Sequence, residues 1–340
     1  MTTRPLSPLT MLLSRHTRRR EFIAGLGGTA TWPLVARSQS ADRIARVGFF
    51  GPDPNGNFLY QAFIDELQIY GFKNGQNLIV DFRRAERDLP ALSADAAELV
   101  RSNVNLLVTQ GPEPPLQAAL GATRTLPIVM IAANYDPFAR GYVTSLARPD
   151  GNVTGVFLRQ TELAEKQTEQ LWQAFPDRTR IGILWDTLSA EQFSAAERRA
   201  KIFGLQVHSL KLEKPPYDFG AAFDSLTAAS TQMLLVLSSP HFVFVRDQIA
   251  QLAIQHRMPT MFIFKYYVEA GGLLSYGADF FAMHRQAATQ VAKILKGAKV
   301  RDIPIEQPNR FEFAVNLKTA KAIGIELPTP TLLLADEVIE

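Results

Sequence analysis

The residues that usually carry chemistry are sparse and scattered in this chain. Its five histidines, His16, His208, His241, His256 and His284, never fall at the spacing of a metal pair such as H-E-x-x-H. There is no cysteine, which excludes disulfides, zinc–thiolate centres and thiol nucleophiles. No G-x-S-x-G elbow presents a hydrolase serine, and no G-x-x-x-x-G-K-[ST] loop cradles phosphates. Asp53-x-Asn55-x-Asn57 opens like a calcium loop, but its sixth position is Phe58 and its twelfth is Ile64, where glycine and glutamate are needed. Gly25-x-Gly27-x-x-Ala30 has dinucleotide-fingerprint spacing, but arginines precede it where a strand is required. Asp53, Glu113, Asp136 and Asp186 are the acids from which an enzyme would build titratable chemistry. None of these patterns assigns a catalytic residue, a metal or a cofactor, and none is expected.

The elements that must position such groups form two series. Arg46–Phe50, Asn77–Phe82, Val104–Thr109 and Ile128–Ala132 read as strands. Helical spacing falls between them at Phe58–Tyr70, Pro90–Arg101 and Leu116–Ala122. The cycle restarts with strands Arg180–Trp185, Gln206–Leu212, Met233–Leu237 and Thr260–Phe264. Its helices are Ala190–Phe203, Phe219–Ala229 and Phe242–His256. Strands alternating with ten- to fifteen-residue helices imply βαβ crossovers and parallel sheets. The expected fold is therefore α/β, with two doubly wound parallel-sheet lobes. The tail holds strand Gly272–Tyr276, helix Phe280–Leu295, strand Phe311–Asn316 and helix Leu317–Ala322. These pieces look like crossings, so three hinge strands are expected at 151–157, 273–279 and 306–312. Lobe 1 would comprise 44–154 plus 279–306, and lobe 2 155–278 plus 307–340.

Ligands of open parallel sheets bind outside the carboxyl ends of the strands, where helix N-termini also point. The loops at those ends supply the candidate ligand contacts. In the first lobe they are Phe50 and Gly51; Gly111, Pro112 and Glu113; and Asp136. In the second they are Trp185 and Asp186, and Ser238 and Ser239; Phe264-Lys265-Tyr266 is a further loop there, and Tyr276 lies at the hinge end. Each has a plainer role open to it. The glycines serve turns, Asp136-Pro137 starts a turn, the serines cap the next helix, and Trp185 is core. As an exposed aromatic wall, Trp185 would suit an aromatic or apolar ligand.

Composition adds a compartment. Lys plus Arg is 36 and Asp plus Glu is 33, a net charge of +3. Residues 1–38 hold Arg4, Arg15, Arg18, Arg19, Arg20 and Arg37 against Glu21 alone, so the remainder is slightly acidic and no nucleic-acid partner is expected. Paired arginines, a mildly apolar Ile23–Val35 stretch and small residues at Ala36 and Ser38 have the order of a secretory signal, with cleavage before Gln39. The Arg19-Arg20-x-Phe22 pattern resembles a twin-arginine signal. The absence of cysteine leaves no lipid anchor, and no later apolar run approaches the ~18 residues of a membrane span. A periplasmic, soluble, non-lipidated protein without membrane insertion is expected.

Three blocks then resemble a family. They are Tyr70-Gly71-Phe72-Lys73-Asn74-Gly75-Gln76-Asn77; Ser145 to Gly155 (SLARPDGNVTG); and a long series. The series runs through Glu269 to Gly277 (EAGGLLSYG), Lys293 to Ala298, Ile303 to Pro308 and Asn316 to Lys321. With Ala335-Asp336-Glu337-Val338-Ile339, they make about 45–340 similar to the ABC-transporter substrate-binding proteins related to the tryptophan-binding component of Gram-positive importers. The resemblance implies a type I periplasmic-binding fold, a small-molecule ligand gripped by hinge closure, and permease and ATPase subunits as partners. A monomer is the default for such receptors. One departure stands out. Relatives often carry Gly-Thr-Pro after the third strand, whose hydroxyl grips the ligand. Here Gly111-Pro112-Glu113-Pro114 has none, and Glu113 either meets an ammonium group or points to water. A sensory module of the same fold, or an exported α/β enzyme, would share much of this sequence pattern.

Overall fold

The computed structural model describes residues 44–52, 57–85 and 88–340. The signal segment 1–38, the Gly25-x-Gly27 spacing and Asp53 lie outside the described residues. The first sheet is built from β1 (Ala45–Gly51), β2 (Leu78–Arg84), β3 (Leu106–Gly111), β4 (Ile128–Ala132) and β5 (Val153–Phe157), joined by α1 (Phe58–Ile69), α2 (Leu89–Arg101) and α3 (Glu113–Ala122). Its order is β2-β1-β3-β4-β5, all parallel. Both faces are covered. Val108, Val129 and Ile131 pack in the cluster that holds Phe63 and Leu67 of α1. Leu107 and Met130 face Leu92, Leu99 and Leu116 of α2 and α3 on the other side. Two-sided burial is why the central strands β3 and β4 are apolar runs, each buried Leu or Val contributing roughly 1.5–3 kcal/mol.

The second lobe repeats the plan. It comprises α4 (Gln160–Ala174), β6 (Arg180–Asp186), α5 (Ala190–Ile202), β7 (Gln206–Leu212), α6 (Phe219–Ala228), β8 (Met233–Val236), α7 (Pro240–Val243), α8 (Arg246–Gln255), β9 (Thr260–Phe262), α9 (Lys265–Glu269) and β10 (Leu274–Ala278). The chain then returns to the first lobe with α10 (Phe280–Leu295), which packs on α1, β4 and β5. It finishes on the second with β11 (Phe311–Asn316), α11 (Leu317–Ile323), α12 (Thr329–Leu333) and β12 (Glu337–Ile339). The sheet order is β12-β11-β10-β9-β8-β6-β7. Its parallel part, β7-β6-β8-β9-β10, has the connectivity of the first sheet, and β11 runs antiparallel to β10. Each lobe therefore has a topological switch point, between β1 and β3 and between β6 and β8. Two α/β lobes in this arrangement are the type I periplasmic-binding fold.

Three crossings join the lobes. Leu158 and Arg159 alone separate β5 from α4, Asp279 alone separates β10 from α10, and Gln307 to Arg310 lead from the Glu306 bridge to β11. The crossings are tied together by backbone bonds, Phe157 N–H to Glu306 O (3.1 Å) and Asp279 N–H to Arg310 O (3.2 Å). Residues 155–157, expected to open the second lobe, belong to β5. Gly155, Val156 and Phe157 complete its register against β4. The single helix expected over Phe242–His256 is split at Phe244-Val245 into α7 and α8.

Candidate ligand-binding site

Helix caps set the walls of the cleft. Asn57 accepts the Leu59 and Tyr60 N–H groups (3.0 and 3.2 Å), which starts α1 so that Phe58 is its first residue. Asp279 accepts Ala282 N–H (2.9 Å) and places Phe280 at the start of α10. Ser239 accepts His241 N–H (3.2 Å) ahead of Pro240, and its hydroxyl donates to the buried Asp186 carboxylate at 2.5 Å. These termini converge with the carboxyl ends of β1, β3, β4 and β8 on a cavity of about 190 Å³. Aromatic rings make most of its wall. Phe264 stacks on Phe280 with centroids 4.6 Å apart, and Phe58 meets Tyr266 edge-on at 5.4 Å, so rings from both lobes interleave. Pro52, Gly111, Val243 and Phe244 complete the apolar lining.

The polar groups are few. Gln110 and Tyr266 are 3 % and 6 % exposed, and Gln110 Oε1 and the Tyr266 hydroxyl are buried without a hydrogen-bond partner. Burial pushes the Tyr266 phenol well above its ordinary value, the adjacent Tyr267 adds to this, and the nearby Arg246 guanidinium opposes it. Arg246 lines the same cavity, donates to Val243 O (3.1 Å), and lies over the Phe58 ring at 5.8 Å. Among the described residues it has no ion-pair partner, and no cluster of His, Asp and Glu suits a metal.

Asn134, just after β4, holds the two lobes together. Its φ is +68°, a left-handed conformation that asparagine tolerates better than most residues. From there its amide donates to Ser238 O (2.7 Å) and Leu188 O (3.2 Å) on the second lobe. Its N–H donates to Gln160 Oε1 (3.1 Å), which also accepts from Gln192 Nε2 (2.6 Å). A charged bridge lies beside this network. Arg140 contacts Glu113 of its own lobe at 3.3 Å and Glu191 of the other at 2.5 Å.

Of the candidate contacts, Gly111, Ser238 and Ser239 line the cavity. Asp186 lies beneath it, accepting Ser239 Oγ, Tyr217 hydroxyl (3.2 Å) and Leu188 N–H (3.0 Å). Phe50 is fully buried in the first lobe, and Gly51 packs against the Phe49 ring. Pro112 caps α3, and Glu113 turns away to accept the Tyr142 hydroxyl (2.5 Å) and meet Arg140. Asp136 accepts Phe138 and Ala139 N–H groups and borders a separate space with Gln160 and Glu191. Trp185 stacks on Phe193 at 4.4 Å and so makes no aromatic wall in the cleft. Tyr276 lines a hinge cavity with Arg159 and Pro308. Phe58, Phe280 and Arg246 were not singled out from the sequence. The one signal for the two phenylalanines is their place directly after the cap residues Asn57 and Asp279.

Two facing Rossmann-like lobes, three short crossings and a ligand-sized cleft define a solute-binding protein of the periplasmic-binding class. Residues 53–339 match the family of ABC transporter substrate binding proteins, and this chain belongs to it. A "Tyrosine-binding protein" of Clostridioides difficile is 26 % identical over 269 residues, 78 % of this chain and 76 % of the relative. A Streptococcus pneumoniae domain solved in complex with L-Trp superposes with a TM-score of 0.75 at 24 % identity, covering 87 % of this chain and 99 % of the other. A conserved domain protein of Vibrio cholerae gives 0.77 at 24 % identity, over 87 % and 100 %. Among the described residues no helix is long and apolar enough to cross a membrane.

Proposed function

We propose that this substrate-binding protein captures a small aromatic, amino-acid-like molecule and delivers it to the permease and ATPase of an importer. The observation that carries the ligand class is the cavity wall, where Phe58, Phe264, Phe280 and Tyr266 from both lobes surround one small space. A flat ring there is sandwiched when the lobes close, so ligand favours closure by contacts to both. The relatives support this class, one being named for tyrosine and another holding L-Trp. The protein acts as a monomeric periplasmic receptor exported by its twin-arginine segment, and not as an enzyme. In support, Glu113, Asp136 and Asp186 are each engaged by neighbouring donors, with no free carboxylate among them aimed at the cavity.

A thermal-shift panel of amino acids, aromatic acids, sugars and polyamines tests the proposal. Aromatic compounds alone are expected to raise the melting temperature, through the mass-action stabilisation of a folded state that binds ligand. A rise with sugars or polyamines and none with aromatics would overturn it, as would turnover of a bound compound.

A further inference from the structure

The charge of the ligand is written in which ends of the cleft can hold an anion. This inference rests on the aromatic class proposed above. A carboxylate in such a cleft ordinarily finds free N–H groups at a helix N-terminus. Helix α3 opens at the cavity beside Gly111, but its N-terminus is stripped of donors. Pro112 is the cap, and Pro114 and Pro115 fill the second and third helical positions, so Glu113 supplies the single N–H of that turn before Leu116. Glu113 also brings its own negative charge to the same end, where it offsets the dipole. The first lobe therefore offers a poor seat for an acid.

The second lobe offers a better one. Arg246 borders the cavity with no ion-pair partner among the described residues, one of its donors used by Val243 O. Tyr266, 6 % exposed, lines the same cavity, and its hydroxyl is buried with no partner. Both groups stand about the Phe58 ring, Arg246 over it at 5.8 Å and Tyr266 edge-on at 5.4 Å. A planar guanidinium with a phenolic O–H beside it fits a carboxylate.

An ammonium has the opposite fate. The described acids at the strand ends are committed: Glu113 to Tyr142 and Arg140, Asp136 to two backbone N–H groups, Asp186 to Ser239 and Tyr217. Gln110 Oε1 is one neutral acceptor, which suits a ring N–H or hydroxyl. It returns less than an ammonium loses on leaving water, and Arg246 repels it.

We propose that the ligand is an aromatic carboxylate held through its acid group by Arg246 and Tyr266, and that an α-ammonium group is not needed for recognition. Calorimetric titration with 3-phenylpropanoate, L-phenylalanine and 2-phenylethylamine tests it, repeated with indole-3-propanoate, L-tryptophan and tryptamine. In at least one series the acid is expected to bind within about threefold of the amino acid or tighter, and the amine at least tenfold weaker, as loss of a charge-assisted bond gives. Arg246→Gln is expected to weaken the acid by at least about tenfold and Tyr266→Phe by about threefold to tenfold, with melting temperatures confirming folded variants. Asp53→Asn, next in sequence to the lining residue Pro52, is expected to change neither ranking nor affinity. Amino acids binding tenfold tighter than their acids, or an Asp53→Asn variant that loses the amino acid selectively, would sink this inference and leave the aromatic reading standing. Binding of none of the six compounds would overturn both.

Discussion

Asn134 makes bonds that exist only while the lobes are together, so removing its side chain is a test of closure itself. Its amide donates to Ser238 O and Leu188 O across the cleft at 2.7 and 3.2 Å. Net contributions of about 1 kcal/mol each put the pair at roughly 2 kcal/mol, or about thirtyfold in the ratio of closed to open protein. The choice of replacement matters because φ is +68°. Alanine would add a left-handed strain of about 1–2 kcal/mol that is present in open and closed forms alike. Glycine avoids that strain and keeps the N–H that meets Gln160. Asn134→Gly is therefore expected to shift the lobes towards the open form by up to about thirtyfold. Ligand affinity should fall by no more than the same factor, since only the closed fraction is competent. A fluorophore pair with one label per lobe reads the population directly, without ligand and at saturation. The bonds are neutral, so the effect should survive high salt. The exposed Arg140–Glu191 contact is the control: its loss should cost about 0.2–1 kcal/mol and vanish in concentrated salt. An Asn134→Gly protein with unchanged lobe distances and unchanged affinity would refute the argument that these bonds hold the cleft shut.

His284 gives the fold an acid limit. It is fully buried on α10, donates Nδ1–H to Phe280 O (2.8 Å), and leaves Nε2 without a partner. Burial holds its pKa down at about 4, against an ordinary 6.5. The unfolded chain takes up the proton first, so stability is fully present above about pH 6.5 and is lost as pH falls towards 4, by about 3 kcal/mol in all. Urea titrations at pH 7.5 and 5 should show about 2 kcal/mol of this loss, and His284→Gln should reduce it; equal losses in both proteins would show that other groups carry it. Gly155 has φ +143°, and a Cβ there would strike the Met130 carbonyl of the neighbouring strand. Gly155→Ala is expected to destabilise the protein by about 3 kcal/mol or more in the same titration, and a change below about 0.5 kcal/mol would contradict the packing.

The central strands were largely legible because burial on both faces leaves apolar runs. Ile128–Ala132 and Gln206–Leu212 were expected with the bounds they have, as was the amphipathic helix Phe280–Leu295. Helix α4 went unread. Its buried face includes Gln160, Gln167 and Thr168, which interrupt the apolar stripe left by Leu163 and Leu171. Those polar residues serve tertiary bonds, such as Gln167 to Tyr276 O (2.7 Å), that no local pattern encodes. The loops around the cleft were legible as strand ends, but the destinations of their side chains were not. Trp185 and Asp186 are consecutive on β6 and alternate across the sheet, so one goes to Phe193 and the other under the cavity. Arg246 was hidden because the break between α7 and α8 that turns it to the cleft falls inside an otherwise helical pattern.

The brevity of the crossings has a mechanical consequence. Next to two of them the sheet is pressed tight: Gly155 lies on the Met130 backbone and Gly277 on that of Ile263, with no room for a side chain. Two stiff plates joined at Leu158-Arg159, Asp279 and Gln307 to Arg310 have nearly one angle left to vary. Every distance from a point on one plate to a point on the other then becomes a function of that angle. A single well-placed ruler calibrates the whole motion, and a second that disagreed with it would mark the spot where a plate bends.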